Sequence, residues 1–135
     1  MPEFTESRAV RAFVRLAVQL SSMPDPGGLQ RHLAWLTSTN PPPGGSTHYD
    51  DYVNIACVLS GCKYFFLLAP GYHAGMTTTA GVPPNEQPSV SPTNTTSLAW
   101  QVAVLNPDDV LMIPKGWWHW VASDGDTVMV NEWHL

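Results

Sequence analysis

Basic residues are scarce in this chain and almost absent from most of it. There are six Lys and Arg among 135 residues, and Arg8, Arg11, Arg15 and Arg31 all fall near the start. Beyond them stand only Lys63 and Lys115, against Asp50, Asp51, Glu86, Asp108, Asp109, Asp124, Asp126 and Glu132. A surface that neutralises phosphates needs clustered Lys and Arg, so a nucleic-acid partner is not expected. Long apolar runs are also missing. None approaches the roughly 20 residues that a bilayer-spanning helix needs, so no membrane partner is expected. The two cysteines, Cys57 and Cys62, are too few for a disulfide framework. They flank the turn signal Ser60-Gly61 and could meet across a hairpin, but read rather as two reduced, buried thiols. With no signal-peptide pattern, the expected setting is intracellular, cytoplasmic or nuclear.

What the chain does have is turn formers: 13 prolines and 10 glycines, with 44% hydrophobic residues. That composition suits one compact domain over 1–135 with many short elements. The exception is the start. Over 4–20, Val10, Phe13, Val14, Ala17 and Leu20 repeat with helical period, which predicts an amphipathic helix within 1–22. From Arg31 the period falls to two. Strands are expected at about 32–39, 46–50, 53–59, 62–69, 100–105, 109–113, 117–122 and 127–133, separated by NPPPGG, SG, PG, NPDD, PKG and SDGD. Short strands with no helix among them predict a small antiparallel barrel or sandwich over 31–135. The polar segment 71–99, rich in Thr, Ser and Pro, reads as a long, sparsely packed loop at the mouth of a pocket.

Chemistry concentrates in STHYDDYVN, where a strand pattern carries His48 and Asp50 on one parity. Their side chains then project to the same side, about 7 Å apart at the backbone. An imidazole and a carboxylate so placed can share a divalent cation, and His119, mid-strand in GWWHW, is the best third ligand. Two His and one carboxylate with open positions is the donor set of non-haem Fe(II) oxygen chemistry. The bland alternative is a hydrogen-bonded His–Asp pair near the surface. Lys63 weighs against it. In CKYFFLLA it shares parity with Phe65 and Leu67 and so points to the apolar side, where a lysine requires an anion. A dicarboxylate such as 2-oxoglutarate supplies one, its keto-acid end on iron and its distal carboxylate on Lys63. A lysine snorkelling from a barrel rim is the other reading.

The segments THYDDYVNIACVLSGCKYFFLLAP and LNPDDVLMIPKGWWHWVASDGDTVMVNEW closely resemble the Jumonji-C (JmjC) 2-oxoglutarate oxygenases, in particular their small hydroxylase branch. The resemblance covers about 31–135. It implies a double-stranded β-helix (a jelly-roll or cupin barrel) of about eight strands. It also implies Fe(II) held by His48, Asp50 and His119, with Lys63 on the distal carboxylate of 2-oxoglutarate. Asn54 and Asn131 match asparagines near co-substrate and metal, and Trp133 an aromatic at the pocket edge. Where relatives carry a hydroxyl three residues before the first ligand His, this chain has Gly45, leaving Thr47 or Ser46 as the nearest hydroxyl for the 2-oxoglutarate carboxylate. The implied activity is hydroxylation or demethylation of a protein or peptide side chain, or of a small molecule, with release of succinate and CO2. The competing readings are a non-catalytic JmjC-like binding module and a cupin-type metal enzyme that does not use 2-oxoglutarate.

Overall fold

The computed structural model describes residues 29–37, 46–75 and 81–134. The helix expected within 1–22 lies outside the described residues, as does Gly45. The described elements are β1 (Leu29–Thr37), β2 (Thr47–His48), β3 (Val53–Leu68), a 3-10 turn (Pro70–Gly75), β4 (Glu86–Gln87), β5 (Gln101–Leu105), β6 (Val110–Ile113) and β7 (Trp118–His134). Every pairing is antiparallel, and no α-helix occurs among the described residues. The fold is mostly β, as the sequence predicts.

β3 and β7 are the spine, paired from Val53 opposite His134 to Leu68 opposite Trp118. Their two halves have different neighbours. Toward Val53, β1 lies on β7 and β6 on β3. Toward Leu68, β2 lies on β7, β4 on β2, and β5 on β3. Among the described residues the sheet has seven strands, and the eight expected ones are not all separate. The expected pairs 53–59 with 62–69 and 117–122 with 127–133 are each one continuous strand, and β4 is an addition.

The reason lies in where the turn signals fall. Ser60-Gly61 on β3 and the glycine of SDGD on β7 stand at the same level of the ladder, where Ser60 faces Val128 and Cys62 faces Asp124. Gly61 and Gly125 both have positive φ, 79° and 71°. Two turn signals side by side give a paired bulge that re-aims the sheet, and neither strand reverses. The bulge also shifts parity. Asn54, Ala56 and Val58 are buried before it, and Lys63 and Phe65 after it. Ala56, Val58, Phe65, Leu105, Ile113 and Met129 form the core on that inner face.

Alanine at Gly61 is expected to be among the costliest single-methyl additions in the chain. Its Cβ would meet the Asp126 carbonyl oxygen and the Thr127 methyl, on a backbone that already disfavours L side chains. Strain and overpacking together predict a loss of about 2–4 kcal/mol, read as a lower urea midpoint; an unchanged midpoint would contradict the paired bulge.

The described residues of the segment 71–99 carry no strand longer than two residues, as a loop should, but part of the segment packs on the sheet. Gln87 pairs with Thr47 and Glu86 with His48, while Val90 and Leu98, with Trp100 just beyond, pack on Leu68 and Trp118 across the outer face of the sheet. The few apolar residues are spaced too widely to show a period. Val90, Leu98 and Trp100 still find a place, and through them 81–100 covers part of the sheet while half of its positions stay exposed.

Candidate metal centre

His48 and His119 are directly paired residues of neighbouring antiparallel strands, so both side chains leave the sheet on the same side. Their rings meet edge to face with centroids 4.3 Å apart. Each is fixed in the same way. Nδ1 of His48 lies 2.8 Å from the Ser46 carbonyl oxygen, and Nδ1 of His119 lies 3.1 Å from that of Trp117. A carbonyl can only accept, so each Nδ1 carries the hydrogen and each Nε2 presents its lone pair. For His119 this form is enforced. Burial first, and the neighbouring His48 second, push its pKa down to about 4, against the opposing pull of the Trp117 carbonyl and Asp50. It is neutral at physiological pH.

Asp50 completes the cluster. Its Oδ2 is 3.7 Å from His119 Nε2, and the ligand atoms of His48, Asp50 and His119 all lie within 4.8 Å of one another. Unlike the histidines, Asp50 is not in a strand; β2 ends at His48, two residues earlier. Its carbonyl accepts from the Gly116 N–H at 2.9 Å. Its Oδ2 accepts from Trp133 Nε1 at 3.0 Å and from Asn54 Nδ2 at 3.4 Å. Asn131 Nδ2 donates to Asn54 Oδ1 at 2.7 Å and so sets which way the Asn54 amide faces.

The chemistry of this donor set is lopsided. Two imidazole lone pairs and a carboxylate converge, three acceptors with no donor between them. A proton on His119 would relieve them, but its depressed pKa withholds it at neutral pH. A divalent cation satisfies all three, and a site with three protein ligands leaves positions for exogenous ones. The residues fit a metal.

Lys63 lies farther along the same inner face. It pairs with Ser123 while Leu67 pairs with His119, which puts it about 13 Å down the ladder at the backbone. It is 5% exposed, and burial lowers its pKa. Thr47 does not join the site. It alternates with His48, is fully buried, and donates its hydroxyl to the Val90 carbonyl under the 81–100 cover. Ser46 serves through its backbone, as the acceptor for His48. Asn54 and Asn131 are buried on the site's side, where Asn54 donates to Asp50 and Asn131 donates to Asn54. Trp133, expected at a pocket edge, is bonded to the carboxylate of Asp50. That bond had a signal in the sequence: Trp133 shares parity with Asn131, and a half-buried indole N–H needs an acceptor. Gly116 was missed as well. Its φ of 80° belongs to the PKG turn, which read as punctuation alone.

A family model described as a cupin-like domain matches residues 30–135. The Arabidopsis thaliana protein named lysine-specific demethylase JMJ31 is 32% identical over 142 residues, covering 95% of this chain and 25% of that protein. The chain thus spans a quarter of the length of that relative. An Acanthamoeba polyphaga mimivirus protein named for its JmjC domain is 59% identical over 29 residues, 22% of this chain and 5% of that one. The X-ray structure of E. coli ycfD shares the fold, with a TM-score of 0.61 at 17% identity, over 89% of this chain and 29% of the other.

Proposed function

This chain belongs to the cupin-like domain family, in its JmjC type, and from that premise we propose that it is an Fe(II)- and 2-oxoglutarate-dependent oxygenase. The observation that carries the proposal is the convergence of three acceptors, His48, Asp50 and His119, within 4.8 Å. Bound there, iron and 2-oxoglutarate supply the oxidative chemistry, coupling decarboxylation of the co-substrate to succinate and CO2 with oxidation of a substrate C–H bond. The chain's own part is placement. His48 and His119 offer Nε2 because their Nδ1 hydrogens are committed to backbone carbonyls. Asp50 offers its carboxylate under the hold of Trp133 and Asn54. Lys63 is the buried cation for the distal carboxylate. His48 and His119 come from the half of the sheet that carries β2, and Trp133 and Asn54 from the half that carries β1 and β6, so β7 spans the site from both sides of the bulge.

The substrate is a protein or peptide side chain, hydroxylated or N-demethylated by the same chemistry. The relative named as a lysine-specific demethylase supports a lysine side chain among these. No helix among the described residues is long and apolar enough to cross a membrane. One observation favours a second reading, a metal-holding module without turnover: the hydroxyl nearest the expected carboxylate position, on Thr47, is bonded to Val90 instead.

Anaerobic addition of Fe(II) and then 2-oxoglutarate separates the two. An oxygenase develops the visible metal-to-ligand band of the iron-chelated keto acid, and admitting air converts it with release of succinate. Iron binding without the band leaves the binding module.

A further inference from the structure

The three metal-binding side chains are not held equally. His48 and His119 sit in paired strands, and each has its ring fixed by a carbonyl two residues before it. Asp50 has no place in the ladder. The Gly116 N–H fixes its backbone but leaves the two side-chain torsions free. What holds the carboxylate is a pair of N–H donors on Oδ2, and the shorter of them comes from Trp133.

We infer that Trp133 is the positioning residue of the metal-binding carboxylate. Its indole is rigid and has one donor, so the direction of that bond is set by the backbone of β7. Trp133 also pairs across the ladder with Asn54, the second donor, and Asn131, two residues before it, fixes the Asn54 amide. Asp50 is therefore oriented by the end of β7, the strand that also carries His119, and by the start of β3. Without the indole N–H the carboxylate swings away from the histidines, and the metal loses a preoriented ligand. The role rests on the metal reading above but does not require that the bound metal support turnover.

Co(II) is the probe, because its absorption reports both affinity and coordination. Trp133→Phe keeps an aromatic ring and removes the donor; it is expected to bind Co(II) about 10- to 100-fold more weakly with an altered d–d envelope, while its far-UV spectrum is unchanged. Trp133→His restores a donor at the equivalent ring position and recovers most of the affinity. A packing role predicts the reverse order of the two variants, and that order, or wild-type affinity and spectrum in Trp133→Phe, overturns the inference. Wild-type protein that binds no Co(II) at all overturns the metal reading with it. Should Trp133→Phe not fold, wild-type protein labelled with 15N at the indoles decides the matter under Zn(II) titration. An indole N–H bonded to a metal-binding carboxylate shifts as the ion arrives, and indole signals that all stay in place overturn the inference.

Discussion

Asp50→Asn is expected to abolish tight metal binding while leaving the metal-free protein at least as stable as the wild type. The two halves of this result come from one cause. In the metal-free site three acceptors face one another, with His119 Nε2 3.7 Å from Asp50 Oδ2. An asparagine there keeps an oxygen for the Trp133 and Asn54 donors and removes the negative charge that faces the histidine lone pairs. Relief of that repulsion offsets the weaker hydrogen bonds that a neutral oxygen accepts. Once the ion is present the order reverses. Four-ligand zinc sites bind with about 10–16 kcal/mol, so one lost ligand of three costs roughly 3 kcal/mol, about two orders of magnitude in affinity. Wild-type protein should gain about 2.7 kcal/mol of stability at a hundredfold excess of metal over Kd, and Asp50→Asn almost none. His48→Ala and His119→Ala should lose the same metal response. Thermal denaturation with and without Co(II) gives all of these values, and a variant that keeps the wild-type metal shift is not a ligand variant.

The site residues were easier to read in the sequence than the path of the strands. Alternation in STHYDDYVN sets His48 and Asp50 on one side whether or not Asp50 is in the strand, and the structure ends β2 before it. The same parity rule applied to Thr47 puts its hydroxyl on the face opposite His48, and that is where it is bonded. Hydroxyl proximity in sequence was the weaker guide. Lys63 lies on the inner face only because the bulge at Ser60–Gly61 shifts parity; counted from Asn54 without interruption it would face outward. The strand path failed at the turn signals, since a glycine with positive φ looks alike in a hairpin and in a bulge. Only the partner strand distinguishes them, and a partner across the ladder is not a local property. The packing of 81–100 was hidden for a related reason: Val90, Leu98 and Trp100 are single apolar residues in a polar segment, and what makes them core is the Leu68–Trp118 face they cover.

Lys63→Ala is expected to weaken 2-oxoglutarate binding by about 2–5 kcal/mol, roughly thirty- to five-thousand-fold, the cost of removing one partner of a buried charge pair. The lysine is 5% exposed and burial pushes its pKa down, so a carboxylate arriving beside it recovers attraction in a site with little water to screen it. With the Thr47 hydroxyl bonded to the Val90 carbonyl, fewer donors remain to share the co-substrate, which places the loss toward the upper end of the range. Metal affinity should change little, because Lys63 lies well down the ladder from His119. Lys63→Arg should not rescue binding, since a planar guanidinium does not replace a point charge in a closed site. The decisive comparison uses 2-oxobutyrate, which keeps the keto acid that chelates metal and lacks the distal carboxylate. Wild-type protein loaded with Mn(II) should prefer 2-oxoglutarate strongly, and Lys63→Ala should bind the two nearly alike. If the variant keeps the wild-type preference, the distal carboxylate is bound elsewhere. If the wild type shows no preference, 2-oxoglutarate is not the co-substrate and the site is that of a metal-holding module.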